Sequence, residues 1–225
     1  MEIPHNYDSI TTLDISYENL TELPPWVSEC KNLKKLNCSD NKITHLDNLP
    51  PTLETLICVY NNIIQLDKLP QTLKTLDCGH NQITQLNNLP QTLKILFCDH
   101  NKITKIDNLP QTLTNLMCYK NKISHLDNLP IGLIELSCFN NKITQLDNLP
   151  KTLELLICSN NKITYLDNLP MSLKILCCIN NKITYLNNLP MSLKNLYCDN
   201  NPLTYEFEHT LENIRNYNNQ NKLSK

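Results

Sequence analysis

The sequence predicts an α/β-type solenoid. It would be an arc of stacked coils with one parallel β-sheet on the concave face, mostly extended or 3-10 segments on the convex face, and a C-terminal capping helix. Three observations carry this expectation. A 20-residue period runs through most of the 225 residues without a slip. Each period holds apolar residues two apart, which is the spacing of one face of a strand. Each period also ends in Leu-Pro, and a proline in every return path excludes a long convex helix there.

Residues 1–30 read as an N-terminal cap with a first, irregular unit. Leu13, Ile15, Leu20 and Leu23 keep the internal spacing of the later units, but Glu18 stands in place of an Asn, and 23 residues separate Leu13 from Leu36. Terminal repeats are commonly atypical in this way, because one of their sides meets solvent.

Residues 31–203 form the regular array. Leu recurs from Leu33 to Leu193, a second Leu from Leu36 to Leu196, Cys from Cys38 to Cys198, Asn from Asn41 to Asn201 and Ile from Ile43 to Ile183, with Leu203 closing the last column. Leu36 and Cys38 share one strand face, and the constant chain direction of every unit makes the sheet parallel. The side-chain amide of the Asn closes the turn after each strand by satisfying backbone groups that a buried corner would orphan. Ten strands at a spacing of about 4.8 Å give a sheet roughly 43 Å long.

Residues 204–217 read as an amphipathic helix with Phe207, Leu211, Ile214 and Tyr217 on one face and Thr204 as its cap. Glu206 and Glu208 suit the positive end of its dipole. Its expected role is to cover the last unit's core. Residues 218–225 read as a disordered polar tail.

L-x-x-L-x-C-x-x-N-x-I, repeated in register over roughly residues 13–203, resembles the leucine-rich-repeat signature with Cys in the third aliphatic place. The L-P-x-x-L element and the 20-residue length resemble the short bacterial-type repeats of secreted effectors. The N-K-I-T-x-L-D-N-L wording is similar to that of intracellular regulatory repeat proteins. The resemblance implies a horseshoe and brings no catalytic motif. Effectors that are ubiquitin ligases carry a separate carboxy-terminal catalytic domain, for which the array leaves no room in this sequence. The Asn-, Ile- and Lys-rich wording suggests an AT-rich genome, such as that of a protist or an amoebal giant virus.

Composition narrows the function classes. A net charge of −2 gives no electrostatic support for nucleic acid or an anionic membrane as partner. The only two glycines, Gly79 and Gly132, leave no phosphate-cradling loop, and no cofactor is expected. There is no membrane-length apolar run and no leader-like N-terminus, so the expected location is the cytoplasm, or a host's cytoplasm for a viral or effector protein. Eleven cysteines, an odd number, fit reduced thiols in a reducing compartment better than a closed disulfide framework.

Solenoids of this kind bind through the sheet face, and the variable positions say which residues line it. The predicted partner-binding set is Ile57, Val59, Tyr60, Ile95, Phe97, Met117, Tyr119, Phe139, Leu155, Ile157, Ile175, Cys177, Ile179 and Tyr197. Two clusters stand out: Ile95, Phe97, Met117, Tyr119 and Phe139, then Leu155, Ile157, Ile175, Ile179 and Tyr197. Aromatic and Met side chains on an open face are interface material. The function expected is a non-catalytic scaffold for a protein or peptide partner. The alternative is self-assembly through the same face, giving a homo-oligomer.

The remaining chemistry-bearing residues read as structural. The cysteines recur at a stacking period instead of in close metal-binding pairs, so packing is expected. In Cys177-Cys178 the two side chains point to opposite faces, with Cys178 on the buried ladder. The nearest sheet-face histidine to Cys177 is His100, about 19 Å away, too far to act as a base. His80 and His100 occupy one place in adjacent units with Asp77 and Asp99 nearby; the set suits a divalent metal, but a polar part of the binding face is the favoured reading and no metal is expected. Lys columns (Lys42, Lys102 to Lys182) and Asp columns (Asp47 to Asp167) are expected to neutralise one another across the surface.

Overall fold

The computed structural model describes residues 7–222. Ten three-residue strands form one sheet in chain order: β1 (Thr12–Asp14), β2 (Lys35–Asn37), β3 (Thr55–Ile57), β4 (Thr75–Asp77), β5 (Ile95–Phe97), β6 (Asn115–Met117), β7 (Glu135–Ser137), β8 (Leu155–Ile157), β9 (Ile175–Cys177) and β10 (Asn195–Tyr197). Every neighbour pair is parallel, and the second Leu of each unit is in register with the next, as Leu36 with Leu56. The irregular first unit follows the rule: Leu13 pairs with Leu36 despite the longer gap.

The core is the set of inward columns. Leu33, Leu36, Cys38 and Ile43 are fully buried, and their equivalents repeat this through the array. The return segments carry no helix after the 3-10 turn Pro25–Glu29, which follows Pro24 and seats Val27 and Cys30 in the first unit's core. Among the described residues no helix is long and apolar enough to cross a membrane.

Beside the backbone bonds from the residue after the column Asn to the preceding Ile carbonyl, such as Asn62 N to Ile43 O at 2.9 Å, three hydrogen-bond ladders hold the coils together. The first is the sheet, continued past each strand by bonds such as Cys58 N to Asp77 O at 2.8 Å. The second is the Asn column. Asn61 Nδ2 donates to Cys58 O and Val59 O within its own corner, as expected for closing the turn. It also donates to Cys38 O of the preceding unit at 3.0 Å, while its Oδ1 accepts from Ile43 N at 2.9 Å. The Asn therefore joins two coils as well as closing one. The third ladder was not anticipated. Thr72 Oγ1 donates to Pro51 O and Leu53 O at 2.7 Å, and Thr92, Thr112, Thr152 and Ser172 do the same toward their preceding units.

Two columns of residues take a left-handed backbone. One runs Asp40, Tyr60, His80, His100, Lys120, then Asn140 to Asn200; the other runs from Asn48 through Lys68 to Asn188. Asn dominates because its short polar side chain tolerates this region best. The five successive departures Asp40, Tyr60, His80, His100 and Lys120 follow one another on adjacent coils of the N-terminal half of the array.

The C-terminal helix α1 spans Leu211–Lys222, seven residues later than the predicted start at 204. Thr204 does not cap it; its N–H bonds Thr184 O at 3.1 Å, extending the repeat pattern for one more step. Thr210 is the cap, with Asn213 N donating to its Oγ1 at 3.2 Å. The preceding stretch packs by its aromatic rings: Tyr205 stacks on Phe207 and its hydroxyl is held by Leu186 N at 2.9 Å. The helix covers the last coil as expected, with Ile214 fully buried. Arg215 Nη2 donates to Pro190 O and Leu193 O, and Asn218 Nδ2 to Leu186 O; Leu193 O is the carbonyl that the Thr/Ser hydroxyl of a following coil takes elsewhere in the array. Residues 218–222, expected to be disordered, form the end of α1. Residues 223–225 of the predicted tail and 1–6 of the predicted cap lie outside the described residues.

The charge columns do not pair with each other. Lys102 Nζ bonds Gln82 Oε1, Asp47 pairs with Lys68, and Asp107 with Lys105; among the described residues no ion pair joins the two columns. Each column instead meets solvent, where water and salt screen its charges.

Candidate functional site

Strand alternation puts Ile57, Ile95, Phe97, Met117, Leu155, Ile157, Ile175, Cys177 and Tyr197 of the predicted set on the face opposite the core, while Val59, Tyr60, Tyr119, Phe139 and Ile179 follow the strand ends. Phe97 is in register with Met117 on adjacent strands, and Leu155 with Ile175. Ile157, Cys177 and Tyr197 continue as one row across β8, β9 and β10. Most of these side chains are half-buried, while Tyr60 and Tyr197 are about half exposed, at 52% and 48%. The two apolar clusters are separate. Between them lie Ser137, which is buried, and the polar pair Asn115–Glu135, bonded Nδ2 to Oε2 at 2.7 Å. Ile57 and Val59 flank the first cluster on β3 and in the loop that follows it.

Just past the strand ends, aromatic rings form a continuous stack that spacing did not reveal. Tyr60 stacks on His80 (centroids 4.1 Å apart), His80 on His100 (3.7 Å), His100 meets Tyr119 edge-on (5.4 Å), and Tyr119 stacks on Phe139 (4.4 Å). The first three rings come from the left-handed column and the last two from the column one residue earlier. The stack crosses from one column to the other at Lys120, whose place on the ring column is taken over by Tyr119.

Beneath the rings sit two carboxylates. Asp99 Oδ2 bonds His100 Nδ1 at 2.8 Å, and Asp99 is only 7% exposed. Its carboxylate lies over Gly79: a Cβ at that position would come within 3.2 Å of both Asp99 oxygens. Asp77 Oδ1 accepts from Gly79 N at 3.3 Å, and burial, then the nearby Asp99, raises its pKa. Burial and the Asp99 carboxylate push the Tyr119 hydroxyl up to about 12. Burial, followed by repulsion from His100, lowers the His80 pKa. One ligand atom from each of His80, Asp99 and His100 lies within 4.8 Å of the others; Asp77 is not part of that group.

The cysteine pair divides as its register requires. Cys178 is fully buried and its thiol is pushed far up by desolvation. Cys177 is half-buried on the open face with Sγ 3.1 Å from Ser159 Oγ, and no imidazole adjoins it. All eleven thiols are free.

A family profile described as Leucine Rich Repeat matches residues 32–56. No curated protein matches the chain. Among solved structures, YopM from Yersinia pestis, a leucine-rich effector protein, is 29% identical with a TM-score of 0.73, covering 92% of this chain and 64% of its own. YopM from Yersinia enterocolitica WA-314 is 26% identical with a TM-score of 0.52, over 85% of this chain and 56% of its own. The functional domain of InlJ from Listeria monocytogenes, which includes a cysteine ladder, is 31% identical with a TM-score of 0.64, over 88% of this chain and 55% of its own. The chain spans less than two thirds of the length of each of these three. Strict 20-residue units, ten parallel strands in register, the Asn ladder and these neighbours agree: the chain is a leucine-rich-repeat protein of the short, bacterial type.

Proposed function

We propose that this protein is a non-catalytic recognition scaffold that binds a protein or peptide through its concave face. The observation that carries the reading is the apolar surface of Phe97, Met117 and the stacked Tyr119–Phe139 rings, half-exposed on a face over which no other element packs among the described residues. Exposed apolar and aromatic patches of this kind mark partner sites. The face carries the carboxylates of Asp77, Asp99, Glu135 and Asp199 against Lys35 and Lys120, which favours a polypeptide over a phosphate backbone. The buried thiol ladder fits a reducing, intracellular setting.

The test is a capture experiment with the full chain and a Phe97→Ala/Met117→Ala/Tyr119→Ala variant. Partners retained by the native protein and lost by a variant with unchanged circular dichroism support the reading. Equal capture by both refutes it. Light scattering separates this from self-association: a mass above 26.0 kDa that reverts in the variant would assign the face to a second copy.

A further inference from the structure

We propose that His80, His100 and Asp99 form a binding site for a late first-row divalent metal ion of the Zn²⁺ class at the edge of the concave sheet.

The two histidines occupy the same position of adjacent coils, one sheet spacing of about 4.8 Å apart, so their rings face each other by construction. Together with one Asp99 oxygen they offer three ligand atoms within 4.8 Å of one another. A contraction of about 1.5 Å across the widest pair brings such a set to the edges of a tetrahedron with metal–nitrogen bonds of about 2.0–2.1 Å. The movement turns the His80 ring out of its stack between Tyr60 and His100, so that its lone pair converges with that of His100; among the described residues no hydrogen bond of the His80 ring opposes it.

Three features prepare the site for a cation. The Asp99 carboxylate lies 2.8 Å from His100 Nδ1, so an oxygen and a ring nitrogen already share one edge of the site, where the ion would take the place of the ring proton between them. Asp77 and Asp99 repel each other under the rings, and a divalent ion relieves that repulsion. Gly79 gives the Asp99 carboxylate its room. Lys120, whose charge opposes a cation at His80, is exposed. A two-nitrogen, one-oxygen set suits zinc, copper or nickel and is poor for calcium or magnesium, which need more oxygen ligands. The remaining coordination positions face solvent, where water or a partner's side chain completes the shell.

The site is tested by calorimetric titration of ZnCl2 and of NiCl2 into the untagged, chelator-stripped full chain carrying Cys177→Ser, which removes the one accessible thiol. The expected result is one ion per chain, at least ~10-fold weaker binding in His80→Asn and in His100→Asn, and no heat with CaCl2. Asn occupies this position in Asn140, Asn160, Asn180 and Asn200, so both variants keep the coil's own backbone preference. A Co²⁺ spectrum of the unsubstituted histidine site, lacking a thiolate charge-transfer band, checks the ligand type independently of any variant's folding. No one-to-one binding, unchanged affinity in both variants, or a thiolate band each overturns the proposal.

Discussion

Asn101 Nδ2 donates to Cys78 O, 23 residues earlier in the chain, at 3.0 Å, while its Oδ1 accepts from Ile83 N at 2.9 Å in that same preceding coil. It also bonds Cys98 O and Asp99 O in its own corner. One buried amide thus satisfies four backbone groups drawn from two coils. Asn101→Ala leaves Ile83 N–H without a partner, while Cys78 O, Cys98 O and Asp99 O keep the bonds they accept from Asn81 Nδ2, Asn121 Nδ2 and His80 N; the cost is that of one buried unsatisfied donor, about 1–3 kcal/mol. Urea unfolding followed by circular dichroism measures this. Asn160→Ala, at an exposed position of the left-handed column, is the control and loses less than about 1 kcal/mol.

The Thr/Ser ladder has one missing rung. Gly132 stands where Thr112 and Thr152 place hydroxyls on the carbonyls two columns back, and a Cβ built at Gly132 meets nothing within 4 Å. Gly132→Ser supplies a hydroxyl for Gln111 O and Leu113 O. The new bond adds roughly 0.5–1.5 kcal/mol, and the lost freedom of the unfolded chain adds a few tenths. The thermal midpoint should rise. A fall would mean that this corner differs from its neighbours.

How much of this was legible in the sequence depends on what each residue meets. The columns of Leu36, Cys38 and Ile43 read directly, because their period fixes both strand and face. The Asn column read as a corner residue, but its reach to the preceding coil needed the position of a neighbour's Ile N–H. The Thr52–Ser192 column is just as periodic, yet a small hydroxyl residue beside proline looks like surface until the carbonyls under it are located. The start of α1 was misplaced because Thr204 and Thr210 are both plausible caps, and only the bond from Thr204 to Thr184 shows that the coil pattern continues past the last strand. At the candidate site, the equivalence of His80 and His100 was visible. The continuation of their stack into Tyr119 was not, since Tyr119 belongs to a different column.

Lys68 is the single non-Asn residue in its left-handed column. Its ion pair with Asp47, at 3.6 Å between well-exposed side chains, contributes little. Lys68→Asn therefore relieves backbone strain at small loss and should stabilise the protein by about 0.5–1 kcal/mol. Tyr60→Asn, in the other column, relieves similar strain but removes the ring stacked on His80, so its gain should be smaller. Denaturant midpoints of the two variants, compared in one buffer, order them.

The lowered pKa of His80 makes part of the stability pH-dependent. The folded state holds this proton less tightly than the unfolded chain does. Stability linked to His80 is therefore fully present above the unfolded value of about 6.5, and is lost as pH falls through the lower folded value. Between pH 7 and 5 the native protein should lose more stability than His80→Asn, measured in parallel denaturant series. Equal slopes would show that His80 is solvated enough to titrate as in the unfolded chain.

The adjacent thiols Cys177 and Cys178 give the sharpest check on which face each column occupies. Ten of the eleven thiols are buried and one, Cys177, is half-exposed. Burial also drives the ladder thiols upward, Cys38 to about 12 and Cys178 further, so the nucleophilic thiolate is scarce wherever the side chain is enclosed. A thiol reagent applied to the native protein should modify one site rapidly. Cys177→Ser should abolish that phase, and Cys178→Ser should leave it intact. In denaturant all eleven should react. Rapid labelling at Cys178 in the native state would require the strand to be turned over, because a slip of one residue exchanges the two faces. The same slip would send Met117 and Phe97 into the core and Leu116 and Leu96 into solvent, so one labelling pattern tests the placement of the whole binding face.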